Sequence, residues 1–367
     1  MNNHNLDLDK YVDELIKGNL NLEKLNEILK SGNLAALVRR RFLEKKFNII
    51  LPALASTILD FDELSEIGIK DTIGAIQIPM SLVGPFQING ANAKGEFYVP
   101  LATLNVDIID RIKRGLRIVS LSKGIETQIL ENLLVISIIV DNSPTIKVIN
   151  QVIDYICKSI SPLNSNIRLS KSLIHTSKNL MEIELIFENY NEVNKIISLE
   201  RVQNIINDLR NRFSHDLNSM HLKGILHNTS VIARTIINKQ SLETSRSREI
   251  QLLRKYMDTS PNVLTQFNES DLESLIALLL AIGQDIGNIL CINKYFWLSF
   301  RNDRIEILLL LSDFRIPITN KIHKLPTHFE ILRILNVVDE NYFLNHLKLV
   351  EIIAALLLVE NIGFIII

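Results

Sequence analysis

Apolar side chains recur at helical spacing near both ends of the chain. In the first part they predict short amphipathic helices over residues 7–30 and a helix with a basic, solvent-exposed face over residues 34–47. Towards the other end they predict a long apolar helix up to Gly283 and closing helices at Phe329–Val338 and Asn341–Val359. Helices of this kind bury at least one face in a hydrophobic core.

Strand-like patterns occupy the middle of the chain. Residues 73–101 contain short apolar runs separated by Ile-Pro, Gly-Pro and Asn-Gly, which favour turns. From about residue 117 to 230, strand-like and helix-like segments alternate, which predicts a small α+β domain between two more helical parts. The predicted strands are Ile76–Ile78, Phe86–Ile88, Phe97–Val99, Ile129–Val140, Met181–Phe187, Leu222–Leu226, 231–239 and a hairpin at 295–311, and the predicted helices are Val106–Lys113, 145–160 and 192–213.

Composition excludes several classes of function. The chain is 47% hydrophobic and 22% charged, with a net charge of −1, so no overall field attracts it to nucleic acid or to acidic membranes. Cys157 and Cys291 lie in apolar runs, as buried thiols of a cytoplasmic protein do. No uninterrupted apolar stretch reaches the ~18 residues of a spanning helix. We therefore predict a cytoplasmic protein without nucleic-acid or membrane partners.

Glycine is distributed unevenly along the chain. Nine of the 13 glycines lie in residues 1–124. Loops that bring backbone close to phosphate need glycine, so the rest of the chain can hold few such loops. Neither Gly-x4-Gly-Lys-Ser/Thr nor Gly-x-Gly-x-x-Gly is present, and no Cys/His cluster has the spacing of a metal site. We predict no metal.

A series of short motifs between residues 71 and 115 is more specific. It begins with Asp71-Thr72-Ile73-Gly74, and Gly283-Gln284-Asp285 follows much later. In this order and spacing the motifs resemble those of HMG-CoA reductases, above all the soluble catalytic portion of the archaeal and eukaryotic type. The other matching segments are Val38-Arg39-Arg40, Val83-Gly84-Pro85, Asn89-Gly90, Gly95–Thr103, Arg114-Gly115 and Val231–Ala233.

The resemblance implies an α+β fold in which a large helical domain is interrupted by a small ferredoxin-like α+β domain. We assign residues 1–116 to the N-terminal part of the large domain, on its dimerisation and CoA side. Residues 117–230 take the position of the NADPH domain, and residues 231–367 form a C-terminal part that is shorter than in the family. The resemblance also implies a dimer, either a homodimer or a heterodimer with an active reductase.

The family reduces HMG-CoA to mevalonate and CoA with NADPH, and its glutamate, lysine, aspartate and histidine carry out the proton transfers. Asp285 is the only catalytic position retained here. Asn105 stands at the glutamate position, and an amide cannot transfer a proton as a carboxylic acid does. Lys223 is the only lysine in the shortened interval before Val231, and the chain ends before the position of the family's histidine.

Ligand positions are better kept on the CoA side. Gly74, Arg114 and Gly115 match CoA-contacting positions of the family, and a CoA thioester is the implied ligand. Arg111 and Lys113 add positive charge beside Arg114, which favours an acidic ligand.

The cofactor implied by the resemblance is NADP(H). The stretch that matches the family's dinucleotide loop, residues 189–195, contains no glycine. Cofactor-binding residues therefore stay unassigned, and NADP(H) binding is in doubt.

Three functions are left open by these residues. We favour a reductase homologue that has lost hydride transfer and acts as a non-catalytic partner or as a binder of a CoA ligand. The first alternative is an active NADPH-dependent reductase in which Asp107, Lys223 and Asp285 have taken over catalysis. The second alternative is a purely structural homodimer without a small-molecule ligand.

Overall fold

The computed structural model divides the chain into two compact units, residues 1–79 with 321–327, and residues 80–320 with 328–367. The residues that it describes are 8–20, 22–47, 59–66, 68–141, 145–160, 168–177, 180–188, 199–213, 220–238, 240–241, 248–259, 263–266, 272–284, 293–301, 303–317, 325–338 and 344–365.

The first unit is helical in its described residues. Its helices are α1 (Leu8–Ile16), α2 (Leu25–Leu29), α3 (Gly32–Phe47) and α4 (Phe61–Glu66). The first three lie in segments that the sequence predicted to be helical, whereas α4 was not predicted. Gly32 lets α3 begin against α4, because a Cβ there would lie 2.0 Å from the carbonyl oxygen of Phe61. The core of this unit consists of Val12, Leu15, Leu25, Ala35, Val38 and Phe42.

The second unit is organised around a sheet whose main path runs β2-β1-β3-β6-β9-β8-β7. The hairpin β1–β2 turns at Asn89-Gly90, as the sequence predicted. The large domain, which the resemblance implied to be mainly helical, therefore contains a sheet as well as helices. The strands on this path are β1 (Met80–Asn89), β2 (Lys94–Ala102), β3 (Ile125–Asp141), β6 (Met220–Asn238), β7 (Val263–Gln266), β8 (Asn293–Arg301) and β9 (Arg304–Pro317).

A β-α-β-β-α-β segment branches from this sheet. It runs β3, α6 (Ile146–Ile160), β4 (Arg168–Ser177), β5 (Leu180–Glu188), α7 (Leu199–Arg212), β6. The spatial order β6-β3-β5-β4, with antiparallel neighbours throughout, is the ferredoxin-like arrangement. Both helices pack on these strands in one hydrophobic core. The predicted α+β fold class is confirmed; the domain boundaries stay a prediction.

Strands β3 and β6 belong to both halves of this architecture. One end of the pair lies in the large sheet and the other end in the ferredoxin-like segment, with register shifts at Ile129/Glu131 and Thr229/Val231. The sequence predicted separate strands at Leu222–Leu226 and 231–239, which is wrong. The polar residues between them lie inside β6, where Thr229 is fully buried. A bulge accommodates such residues without ending the strand.

Two helices, α5 (Val106–Val119) and α11 (His346–Ile365), cross at backbone contact distance. A Cβ on Gly115 would lie 2.0 Å from the carbonyl oxygen of Val359, and one on Gly363 would lie 1.9 Å from that of Arg111. The sequence predicted that α5 ends near Gly115. Helix α5 instead continues to Val119, because Gly115 lies in the middle of the helix and faces the backbone of α11.

The remaining helices are α8 (Arg248–Thr259), α9 (Glu273–Ala281) and α10 (Pro326–Ile334). The sequence analysis did not predict β4 and β7. It predicted a strand at Ile76–Ile78, which is wrong, because this segment has no regular secondary structure. In the described part of the chain, no helix has the length and apolar character needed to span a membrane.

Candidate functional site

Asn105, which the sequence resemblance matches to the family's glutamate, is the N-cap of α5. Its side-chain oxygen accepts a hydrogen bond from the N–H of Asp107 at 3.0 Å. Its own N–H donates to Oγ1 of Thr103 at 3.0 Å. Asparagine is a preferred N-cap because it satisfies an N–H that the helix leaves unpaired. The amide at this position therefore starts the helix, and the carboxylate of Asp107 is a neighbour in the first turn.

Helices α5 and α8 line a cleft of about 410 Å³. Of its charged residues four are basic and two acidic, so the lining has a formal charge of +2. Arg117 and Glu249 form an ion pair across the two helices. We call this cleft the basic cleft. Its lining residues are Asp110, Lys113, Arg114, Arg117, Arg248, Glu249 and Leu252.

Arg114 is held in this cleft without an ion-pair partner among the described residues. Its Nε donates to the carbonyl oxygen of Gly363 at 3.4 Å, which orients the guanidinium. Within the same part of the chain, Lys113 and Arg248 also lack ion pairs. These three cations are therefore free to hold an anion.

Arg111 does not contribute to the basic cleft, contrary to the sequence prediction. It forms ion pairs with Glu273 and, at 3.5 Å, with Glu360, and it lies over the ring of Phe364. Burial raises the pKa of Glu360, although Ser274 and Arg111 oppose this. The guanidinium of Arg111 is thus neutralised inside the protein, and Lys113 alone supplies the predicted additional charge.

Gly74 follows a loop that arginines of α3 fix in the first unit. Arg39 is 2% exposed and donates to the carbonyl oxygen of Thr72 at 3.2 Å and to the carboxylate of Asp71 at 2.6 Å. Arg40 donates to the carbonyl oxygen of Ile73 at 3.0 Å. Burial lowers the pKa of Arg39, partly offset by Asp71. The expected solvated face of α3 is therefore wrong for Arg39.

Gly283, the first residue of Gly-Gln-Asp, ends α9. Its φ of 68° is left-handed, and the N–H groups of Gly283 and Gln284 donate back into the helix at 3.2 and 2.9 Å. This is the usual geometry of a glycine that terminates a helix. Asp285, the predicted catalytic residue, lies outside the described residues.

Lys223, the proposed substitute for the family's lysine, lies on β6 in the ferredoxin-like segment. Its Nζ donates to Oε1 of Glu182 at 2.6 Å, and Ser137 donates to the same oxygen at 2.8 Å. Burial opposes ionisation of Glu182, but these hydrogen bonds outweigh it and lower its pKa. In the described part of the chain, nothing connects Lys223 with Asn105 or Asp107.

A second cleft, of about 560 Å³, lies beside β3 at the end of β5. Residues 189–195, which the resemblance matches to the family's dinucleotide loop, lie outside the described residues. We call this second cleft the acidic cleft. Its described lining contains two carboxylates and no cation: Asn92, Ile129, Leu130, Glu131, Asn132, Leu133, Glu188 and Leu347. Such a lining does not fit the phosphates of NADP(H).

Sequence reasoning gave no role to the buried polar residues of α11, which are His346, Glu351, Glu360 and Asn361. Glu351 is fully buried and accepts hydrogen bonds from the N–H groups of Asn92 and Ala93 and from the Asn92 amide at 2.5 to 3.0 Å. Nε2 of His346 lies 3.1 Å from Oδ1 of Asn132, and burial lowers its pKa to about 3, so the ring is neutral. The only sign of this in the sequence was the charged residue Glu351 inside an apolar run.

Comparison with known proteins agrees with this picture. A sequence profile described as Hydroxymethylglutaryl-coenzyme A reductase matches residues 35–189. The 3-hydroxy-3-methylglutaryl-coenzyme A reductase of Aeropyrum pernix is 26% identical over 96% of this chain and 90% of its own length. That of Pyrococcus abyssi is 33% identical, but over 35% of this chain and 31% of its own length.

Solved structures show the same fold at low identity. The class II reductase of Streptococcus pneumoniae bound to NADPH has a TM-score of 0.56 and 12% identity, covering 89% of this chain and 85% of that one. A second structure of the enzyme has a TM-score of 0.54 and covers 95% of this chain and 97% of that one. This chain is therefore similar to the hydroxymethylglutaryl-coenzyme A reductases in sequence, most clearly over residues 35–189, and shares their fold.

Proposed function

We propose that this protein binds a CoA-type ligand in the basic cleft and does not catalyse hydride transfer. The observation that carries the proposal is the contrast between two positions on α5. Arg114 lies in a positively charged cleft and forms no ion pair with any described residue, whereas Asn105 uses its side chain to cap the helix.

The basic cleft suits the phosphates of CoA. Charge-assisted hydrogen bonds from guanidinium groups are about twice as strong as neutral ones. Arg114 and Arg248 approach the cleft from different helices, and Lys113 adds a third cation. A phosphate bound between them would replace the repulsion among these cations with attraction.

The described residues give less support to reductase chemistry. Reduction of a thioester needs an acid for the developing alkoxide and a cation for the oxyanion. Asn105 cannot act as the acid, and Lys223 is paired with Glu182 on another element. The names of its relatives favour reductase chemistry on HMG-CoA, and a Streptococcus pneumoniae reductase of similar fold was solved with NADPH bound. An active enzyme would therefore need Asp107 or Asp285 in new roles.

CoA binding can be tested with a double variant of the cleft. CoA is expected to raise the melting temperature of the wild type, since a ligand that binds only the folded state stabilises it. Arg114→Gln with Arg248→Gln should weaken CoA at least about tenfold, because each charged hydrogen bond contributes about 1.5–3 kcal/mol. Isothermal titration measures this directly.

The matched control is Lys147→Gln, which removes an exposed cation of α6 outside the cleft. Equal CoA affinity in the double variant and the wild type would contradict the assignment of the cleft. Steady NADPH oxidation with HMG-CoA would overturn the loss of catalysis. If activity is present, its abolition by Asp285→Ala would support relocated catalysis.

We also propose that a second copy of this chain covers an apolar patch at the hairpin and the start of α5. Met80, Leu82 and Tyr98 lie on one face of β1–β2, and their side chains are 43–59% exposed. Leu104 and Val106 are 80% and 71% exposed. Neighbouring exposed apolar residues usually mark an interface, and the family resemblance favours a dimer.

The dimer is expected to dissociate when charge is placed in this patch. Leu82→Glu with Leu104→Glu should convert a dimer into a monomer in sedimentation equilibrium, because burying two carboxylates opposes association. Ile146→Glu is the control, since Ile146 is 77% exposed on α6. A monomeric wild type would exclude the homodimer, and its capture by an active reductase would then favour the heterodimer.

A further inference from the structure

We infer that Glu360 is a positioning residue for Arg114 of the basic cleft. It holds the last turn of α11 in place on α5, and this turn supplies the carbonyl oxygen that orients the guanidinium of Arg114. The inference rests on the proposed function and deepens it, because it names a residue outside the lining of the cleft that controls its anion site.

The contact between Arg114 and α11 depends on where that helix ends. Nε of Arg114 donates to the carbonyl oxygen of Gly363 at 3.4 Å, and this is the only hydrogen bond that the side chain makes within the described residues. The carbonyl groups of a last helical turn lack partners inside the helix, so this oxygen is available to a side chain. A guanidinium at this end also interacts favourably with the helix dipole. A displacement of the last turn of α11 would therefore remove the acceptor of Arg114.

The last turn of α11 is held on α5 by Arg111, one turn before Arg114. The Arg111 guanidinium forms an ion pair with Oε1 of Glu360 at 3.5 Å, and its Cζ lies 5.9 Å from the centre of the Phe364 ring. Ser274 of α9 donates to the other carboxylate oxygen, Oε2 of Glu360, at 2.5 Å. Glu360 thus joins the end of α11 to two other helices.

Burial makes these contacts of Glu360 hard to replace. The residue is 4% exposed, and a buried carboxylate without partners is strongly unfavourable. Burial raises the pKa of Glu360, and Glu273 acts in the same direction, whereas Ser274, Arg111 and Lys294 of β8 favour the ionised form. Among the described residues, Oε1 of Glu360 receives no hydrogen bond and depends on its ion pair with Arg111. The carboxylate and the last turn of α11 therefore stay together.

A purely structural role for Glu360 is the competing explanation, since a buried polar network also stabilises the packing around it. Glu351 offers the matched comparison, because it is another buried carboxylate of α11 and contacts the hairpin β1–β2 instead. Replacing glutamate with glutamine at either position removes one carboxylate from the same helix. Only the change at Glu360 is expected to reach Arg114.

The Nε–H signal of Arg114 in a two-dimensional nitrogen–proton NMR spectrum reports this contact without any ligand, and its loss in Arg114→Gln assigns it. In Glu360→Gln the signal is expected to move towards that of an exposed arginine such as Arg304, at the start of β9. Isothermal titration should show CoA binding that is at least about threefold weaker. Ser274→Ala should change both readouts in the same direction by less, and Glu351→Gln should leave both unchanged.

An unchanged Arg114 signal in both Glu360→Gln and Ser274→Ala would overturn the inference, even where CoA binds the wild type. An equal loss of CoA affinity in Glu351→Gln would also overturn it, because the effect would then follow stability and not the position of Arg114. A wild type that does not bind CoA would overturn the proposed function instead, and the Arg114 signal would still decide the inference.

Discussion

Replacing Gly115 with alanine is expected to destabilise the protein by about 3 kcal/mol or more. In an isolated helix this change would stabilise by about 1 kcal/mol, because alanine is the better helix former. Here the new Cβ would lie 2.0 Å from the carbonyl oxygen of Val359, far inside van der Waals contact. Helices α5 and α11 would have to separate, and the core between them would lose its packing. The overpacking cost therefore outweighs the gain in helix propensity.

Urea denaturation followed by circular dichroism measures this effect. Gly224→Ala is the control, since a Cβ there meets no atom within 4 Å. It should change the free energy of unfolding by less than about 1 kcal/mol. A Gly115→Ala variant as stable as the wild type would mean that the two helices do not touch at this point.

Glu351→Ala is expected to lower the free energy of unfolding by about 3–5 kcal/mol, because each hydrogen bond to a charged group contributes about 1.5–3 kcal/mol. The variant leaves the N–H groups of Asn92 and Ala93 and the Asn92 amide without their acceptor, and Ala93 is fully buried. Gly90 belongs to the same arrangement, since a Cβ there would lie 2.2 Å from Oε2 of Glu351.

Hydrogen exchange tests this prediction locally. The amides of Asn92 and Ala93 should exchange much faster in Glu351→Ala, and Glu351→Gln should be milder because it keeps one acceptor oxygen. Glu330→Ala, at an exposed carboxylate of α10, should have little effect. Unchanged protection of both amides would show that the hairpin does not depend on this carboxylate.

The sequence predicted the fold class because short motifs and apolar periodicity point to the same architecture. It missed β4 because Arg168–Ser177 is rich in polar residues and carries little of the apolar signal of a strand. It divided β6 because Asn228 and Ser230 suggest a loop. In the structure both are buried and hydrogen-bonded to Asp313 and Glu131.

The candidate sites were only partly predictable. The motif around Arg114 predicted an anion site, but nothing in the local sequence reveals that Arg248 of α8 lines the same cleft. Arg111 was assigned to the ligand, although Glu273 and Glu360, far along the chain, pair with it. Glu351 and Ala93 are 258 residues apart, so their contact exists only in the folded protein. Long-range partners decide whether a charge is structural or available to a ligand.

The continuity of β3 and β6 limits what evolution can remove from this protein. Both strands are central in the large sheet. In the ferredoxin-like segment, β3 is an inner strand and β6 is the border strand. Deleting that segment would leave two severed strands in the middle of the large sheet. A lineage that stops using a dinucleotide must therefore keep the whole segment as a supporting part. Its core positions stay constrained by packing, while its surface becomes free to acquire a different ligand.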